Sequence, residues 1–226
     1  MSFDQTAFYD FILEQGIVGF FDQPIKLSSG RYTSWYVNWR NVSADVFQLE
    51  RLTDFVLDFL ADKNVGFDCL YGTPDGATKL AVVCQYKWAK LQSDFGPGKY
   101  PLAMGRKTPK DHGEPKDRYF VGAPAGRVVV LEDVTTTGGS LLKTVLTLQE
   151  LGYDLAGAVT LTNRNEVMDD GRHVSEVLAE KGVPYFNLSQ GLELLPLAVK
   201  KFKPSQPIKQ SIIDEFKQYG ESEIKL

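Results

Sequence analysis

The stretch that most constrains this chain is residues 128–140, Val-Val-Val-Leu-Glu-Asp-Val-Thr-Thr-Thr-Gly-Gly-Ser. Val128, Val129, Val130 and Leu131 have the length and β-branching of a strand buried on both faces. Two acids, Glu132 and Asp133, end the apolar run. Val134 leads into a small, hydroxyl-rich turn of Thr135, Thr136, Thr137, Gly138, Gly139 and Ser140, after which Leu141, Leu142, Val145 and Leu148 continue at helical spacing. The order predicted is strand, acidic tip, glycine loop, helix.

A loop of this kind suits a phosphate. Glycines let backbone N–H groups converge on an anion, and the helix behind them adds the positive end of its dipole. Two carboxylates beside that cradle would repel the phosphate unless they face a neutral, hydroxyl-bearing or cationic part of the ligand. A phosphorylated ribose meets both demands, its phosphate in the loop and its two hydroxyls on Glu132 and Asp133. The alternative is an ordinary strand-to-helix turn with solvated acids, which the combination of two acids, three threonines and two glycines disfavours.

With 226 residues, 43% of them hydrophobic, the chain can bury a full core as one domain, residues 1–226. No run approaches the roughly 18 apolar residues of a membrane span, and Met-Ser-Phe-Asp-Gln lacks a basic-then-apolar signal, so a cytoplasmic protein without membrane contact is expected. A net charge of −4 argues against a general nucleic-acid binder, and any anionic ligand must be met by local cations. Cys69 and Cys84 have neither metal-ligand spacing nor a neighbouring histidine, and are expected to be buried free thiols.

Along the chain, residues 4–15 carry Phe8, Phe11 and Ile12 at helical spacing, with Gly16 as the stop. Residues 25–38 predict a hairpin whose aromatic residues either pack locally or hood a flat ligand. Residues 45–61 predict a long amphipathic helix, and residues 67–91 a second strand, loop and helix, with the turn at residues 72–77 near Glu132 to Ser140. Gly98-Lys99 is not a phosphate-binding Walker loop, because Ser93 stands where the first glycine is needed and Tyr100 replaces the hydroxyl residue. Further strands are expected at residues 101–105, 156–162 and 183–188. Helices are expected at residues 169–180 and 191–199 and in the tail from Ser211. Alternating strands and helices imply an α/β fold with a mostly parallel sheet, whose ligands gather at the carboxyl ends of the strands.

Residues 106–118, Arg-Lys-Thr-Pro-Lys-Asp-His-Gly-Glu-Pro-Lys-Asp-Arg, have no apolar residue except two prolines and are expected to be an exposed loop. A charged run is usually a solvated loop. Beside a phosphate cradle, the same run suggests a mobile lid for a second, more highly charged phosphate group. Lysine and arginine would neutralise a leaving group there, and His112 could donate a hydrogen bond or a proton. Arg164, at a strand end, is either a carboxylate clamp or a surface ion pair. His173 is expected to have no chemistry.

The 128–140 stretch resembles the ribose-phosphate signature of the type I phosphoribosyltransferases. Arg106-Lys107-Thr-Pro-Lys110-Asp111-His112-Gly113 is similar to the mobile loop of the orotate phosphoribosyltransferases, and Leu27-Ser-Ser-Gly-Arg31 through Trp35-Tyr-Val-Asn38 to their N-terminal turn and aromatic hood. The resemblance covers residues 16–166. It implies the type I phosphoribosyltransferase fold, a central mostly parallel sheet flanked by helices, with residues 1–40 contributing a small N-terminal hood. It also implies Mg²⁺-dependent transfer of phosphoribosyl from 5-phosphoribosyl 1-diphosphate to orotate, in pyrimidine biosynthesis. By the same resemblance Glu132 and Asp133 hold the ribose hydroxyls, Thr136, Thr137, Gly138, Gly139 and Ser140 hold the 5′-phosphate, and Val134 and Thr135 belong to the same phosphoribosyl diphosphate site. Arg106, Lys107, Lys110 and His112 meet the diphosphate. Tyr36, Val37, Thr136 and Arg164 contact orotate. Lys110, Asp111, His112 and Asp133 stand closest to the chemistry. Mg²⁺ is held mainly by the substrate, with no dedicated protein ligands, and the enzyme is a homodimer with loop residues shared between sites.

Two positions depart from the common pattern. Ser28 and Gly76 stand where many members have lysines. Two other readings stay open: a phosphoribosyltransferase for another base, distinguished by whether the hood and Arg164 select a carboxylated pyrimidine, and, from the two missing lysines, a nucleotide-sensing regulator on the same fold without catalysis.

Overall fold

The computed structural model describes residues 2–226, with Pro115 described by its backbone alone. Helix α1 (Gln5–Glu14) is capped by Asp4, whose carboxylate accepts from the Ala7 N–H. Strands β1 (Val18–Lys26) and β2 (Tyr32–Val37) form an antiparallel hairpin with an irregularity between Phe20 and Ile25. The first strand begins seven residues before the expected hairpin, because Val18, Gly19 and Phe20 pair with Val37, Tyr36 and Trp35. A 3₁₀ turn (Val42–Ala44) leads into α2 (Val46–Asp62), started by the Asp45 carboxylate.

The second sheet is parallel throughout, in the order β3 (Cys69–Gly72), β4 (Arg127–Thr135), β5 (Asp154–Asn163) and β6 (Tyr185–Gln190). Between these strands run α3 (Thr78–Lys90), the short α4 (Pro115–Tyr119), α5 (Gly139–Glu150) and α6 (Val174–Glu180). Helices α7 (Gly191–Phe202) and α8 (Gln206–Tyr219) close the chain. Among the described residues no helix is long and apolar enough to cross a membrane.

The apolar run of β4 divides between the two faces of this sheet, as the two-residue period of a strand requires. Val129 and Leu131 pack with Leu52 and Val56 of α2, Leu80 of α3 and Leu194 of α7, whereas Val128 and Val130 pack with Leu141, Val145 and Leu148 of α5 and Leu178 of α6. Both faces are covered, so the strand is apolar without alternation. Cys84 lies in the first of these cores and Cys69 in the second, both as buried free thiols. Burial pushes the Cys69 thiol up to about 11 and Cys84 higher still, which keeps both protonated and unreactive at neutral pH.

Three expectations need correction. Residues 101–105 do not form a strand of the sheet. Their backbone pairs with the far arm of the charged loop instead, through Val121 N–H to the Met104 carbonyl at 2.7 Å and a single bridge from Gly105 to Phe120. The charged loop itself is not free of structure, because Glu114-Pro115 starts the one-turn α4, with proline in the first turn, where its missing N–H costs nothing. Helix α6 starts at Val174 rather than near Asp169. Residues 168–172 form a turn with Gly171 at φ +82°, and His173 then caps the helix, its N–H bonded to the Glu176 carboxylate at 2.9 Å.

Candidate active site

The carboxyl ends of the parallel strands meet at one place. The Thr73 N–H donates to the Leu131 carbonyl at 2.8 Å and the Arg164 N–H to the Thr135 carbonyl at 2.9 Å, which ties the turn after β3 and the end of β5 to the tip of β4. A cavity of about 470 Å³ opens there. Its walls bring together Glu132 and Asp133 of the acidic tip, Thr136 and Ser140 of the glycine loop, Tyr36 and Val37 of the hairpin, Lys107 of the charged loop, and Arg164. A second cavity of about 310 Å³ adjoins it, lined by Ser28, Ser29 and Val134, by Thr136, Thr137, Gly138, Gly139 and Ser140, and by Lys143. The shared walls of Ser28, Val134, Thr136 and Ser140 make the two one continuous groove.

The glycine loop is built by backbone conformation. Gly138 has φ +81°, and a Cβ there would lie 2.2 Å from Val174 Cγ2, so only glycine can both turn the chain and pass α6. The turn aims the first N–H groups of the twelve-residue α5 at the smaller cavity, an anion-binding arrangement to which Lys143, one turn along, adds a cation. Thr135 is the exception among the loop residues. Its side chain is buried and lines neither cavity, because it is still the last residue of β4, paired with Asn163.

Glu132 is buried and Asp133 half-buried. The Asp133 N–H donates to Glu132 Oε1 at 3.2 Å and the Val134 N–H to Asp133 Oδ1 at 2.8 Å. Burial, and secondly the neighbouring Asp133 carboxylate, push Glu132 up to about 9. No ion pair relieves this acid pair among the described residues, which leaves it suited to hydroxyls or to a divalent cation brought with them. Across the groove, Gly76 abuts Asp133 so closely that a Cβ would stand 2.5 Å from Oδ2. A side chain at position 76 would therefore require the Asp133 carboxylate to shift.

The charged loop places its residues unequally. Arg106 and Lys107 line a side cavity of about 220 Å³ with Tyr71, Tyr119 and Lys143, and Lys107 reaches the main cavity, with its ammonium 3.0 Å from Asp75. Arg106 Nε donates to the Asp117 carbonyl at 3.2 Å. Lys110, Asp111 and His112 are exposed and line none of these cavities, the Lys110 backbone being held by two bonds to Arg118.

Arg164 reaches the cavity wall, but it is no surface ion pair and no free clamp. It is 1% exposed, with Nε donating to Glu166 at 2.8 Å, Nη2 to Glu215 at 2.7 Å and to Thr33 at 3.0 Å, and Nη1 to the Trp35 carbonyl at 3.2 Å. Its guanidinium carbon lies 3.8 Å from the centroid of a Trp35 ring. Lys26, Ser28, Arg40, Lys143 and the turn of Thr73, Pro74, Asp75 and Gly76 also line the groove. The turn was legible from the repeated strand-loop-helix unit. For Lys143 the only sequence signal was its place one turn beyond Gly139, and for Arg40 its place three residues beyond Val37.

A parallel four-stranded sheet with a hairpin hood and a glycine loop behind an acidic strand tip defines a type I phosphoribosyltransferase fold. The chain superimposes on the crystal structure of orotate phosphoribosyltransferase from Francisella tularensis with a TM-score of 0.67 and 21% identity, covering 95% of this chain and 99% of that one. It is 33% identical over 181 residues to orotate phosphoribosyltransferase of a Bradyrhizobium strain, covering 76% of this chain and 88% of the relative. It is 30% identical over 208 residues to that of Bordetella avium, covering 87% and 90%. No family model matches the chain. The chain belongs to the orotate phosphoribosyltransferase family.

Proposed function

We propose that this protein transfers the phosphoribosyl group of 5-phosphoribosyl 1-diphosphate to orotate, giving orotidine 5′-monophosphate and diphosphate in pyrimidine biosynthesis. The observation that carries the reading is the continuous groove joining the glycine loop, the acidic tip, the hood and Lys107. The 5′-phosphate lies on the α5 N-terminus among Thr136, Thr137, Gly138, Gly139 and Ser140. The ribose hydroxyls lie on Glu132 and Asp133, and the base lies under Tyr36 and Val37 beside Thr136 and Arg164. The diphosphate lies toward Arg106 and Lys107, with Lys110, Asp111 and His112 brought in when the loop closes.

The C1–oxygen bond breaks with its electron pair leaving on diphosphate, while N1 of orotate bonds to C1 and its proton is released with the diphosphate. Positive charge builds on the sugar as the bond breaks, as in glycoside cleavage. The chain supplies no nucleophile. Its residues align the base, neutralise the leaving group and exclude water. Mg²⁺ would be held by the ribose hydroxyls and the diphosphate beside Asp133, where it would offset phosphate charge.

Because Lys110 and His112 lie outside the groove of one chain, we infer a homodimer in which the loop serves a neighbouring site, working in the cytoplasm. Mixing an Asp133→Asn chain with a Lys110→Ala chain should restore part of the activity if sites are shared between subunits. No restoration would place the loop over its own site. The transfer itself is tested by the fall in orotate ultraviolet absorbance with Mg²⁺ and phosphoribosyl diphosphate, with uracil, adenine and hypoxanthine in parallel. Turnover of orotate alone supports the reading, turnover of another base reassigns the base, and silence with all four favours a non-catalytic regulator.

A further inference from the structure

Resting on the orotate reading, we propose that Arg40 is the residue that reads the carboxylate of the base, and that Arg164 supplies only one N–H to the same ligand. The lining of the main cavity includes Lys26, Tyr36, Val37, Arg40 and Arg164. A guanidinium has five N–H donors, and the bonds of Arg164 to Glu166, Glu215, Thr33 and the Trp35 carbonyl engage four of them. One donor suffices for a ring carbonyl. It cannot form the parallel two-bond fork that a carboxylate takes from arginine.

Charge leads to the same conclusion. Glu166 lies between Arg164 and Arg31, at 2.8 and 3.0 Å, and Glu215 lies on the other side of Arg164, so two buried arginines are matched by two buried carboxylates. The exposed Asp169 adds a further acid on Arg31. An anion arriving at the hood therefore meets little net charge from Arg164.

Arg40 has the opposite arrangement. Its backbone is anchored, the N–H donating to Asn38 Oδ1 at 3.3 Å and the carbonyl accepting from Ser43 Oγ at 3.2 Å, while Ser43 is itself held by Lys79. Its side chain is exposed, reaches the cavity wall and has no ion pair or side-chain hydrogen bond among the described residues. An anchored backbone carrying an uncommitted guanidinium three residues beyond β2, on the wall of the same cavity, is placed to meet the acidic edge of a flat ligand. Lys26, on the opposite arm, can add a point charge but no fork.

The test compares wild type with Arg40→Ala and Arg40→Lys, measuring KM for orotate, KM for phosphoribosyl diphosphate and, independently of turnover, orotate affinity by calorimetry. Arg40→Ala should weaken orotate by about tenfold or more in both readouts, the loss of a charge-assisted bond, with KM for phosphoribosyl diphosphate within about twofold of wild type. Arg40→Lys should be intermediate, keeping the charge without the fork. Because Arg40 is exposed, the melting temperature should not move. A rise in the phosphoribosyl diphosphate KM instead would assign Arg40 to the diphosphate, and unchanged orotate affinity would remove its role. Wild type that binds orotate but does not turn it over would refute the transferase reading alone, and wild type that fails to bind orotate would overturn the assignment of Arg40.

Discussion

Arg164, at the end of β5, is joined to Glu215 of the last helix by a 2.7 Å contact in which both side chains are almost fully buried. The final helix thus supports the wall of the main cavity. Burial raises Glu215 above the usual carboxylate range, while Arg164 and Thr33 hold it down, which is the balance of a desolvated but partnered acid. Glu215→Ala leaves Arg164 short of one acceptor, and losing a partner of a buried pair costs ~3–5 kcal/mol. Glu215→Gln keeps an acceptor oxygen and is expected to cost roughly 1–3 kcal/mol. Urea unfolding separates the two, and equal stability of both variants with wild type would show that α8 does not support Arg164.

Glu132 gives a pH dependence with a definite sign. Its folded value of about 9 lies above the ordinary 4.5, so between those limits the folded chain holds a proton that the unfolded chain has lost, and stability falls as pH rises through that window. Glu132→Gln removes this slope. Thermal melts from pH 5 to pH 9 should show the variant gaining on wild type toward the alkaline end, while on the proposed reading its turnover falls roughly 10–100-fold because an amide replaces the carboxyl that meets the ribose hydroxyl. Parallel melting curves across that range would mean that the carboxyl is already ionised in the folded chain.

Gly76→Ala should damage the reaction more than the fold. The new Cβ would stand 2.5 Å from Asp133 Oδ2 and 2.7 Å from Cγ, so the carboxylate must move. A displacement of ~1 Å at a positioning group can cost on the order of 100-fold in rate. We expect kcat/KM to drop by roughly 10–100-fold, with a melting temperature within about 4 °C of wild type. A variant with full activity would show that Asp133 has room to retreat.

The loop and the cap of α6 provide a contrast of two polar residues. Lys110→Ala should lower turnover by about 100-fold without changing stability, because its side chain is exposed and, on the proposed reading, meets the leaving group when the loop closes. His173→Ala should leave turnover within about twofold, since its ring faces Glu221 at 3.2 Å, away from the groove, and exposed pairs contribute at most ~1 kcal/mol. Steady-state rates for the two variants decide this, and equal losses would displace the site from the groove described.

The sequence alone determined the parallel α/β alternation, the strand, acidic tip, glycine loop and helix order, and the two buried thiols, because these rest on local patterns: apolar runs, turn residues and spacing. It also singled out Glu132, Asp133, Thr136, Ser140, Tyr36 and Lys107, which the tip of β4, the glycine loop, the hairpin and the charged loop bring to one cavity. Only the tertiary structure decided the rest. Residues 101–105 read as a strand, yet their hydrogen bonds go to the loop's returning arm, a choice between partners distant in sequence. Thr135 reads like its neighbours but ends inside the core, because the last residue of β4 and the first of the loop differ only in which face of the chain is covered. Whether Arg164 is free depended on a helix about fifty residues later in the chain delivering Glu215 to it. Local pattern fixes the kind of element a segment forms, whereas the availability of a side chain for a ligand depends on which distant groups have already taken its hydrogen bonds and its charge.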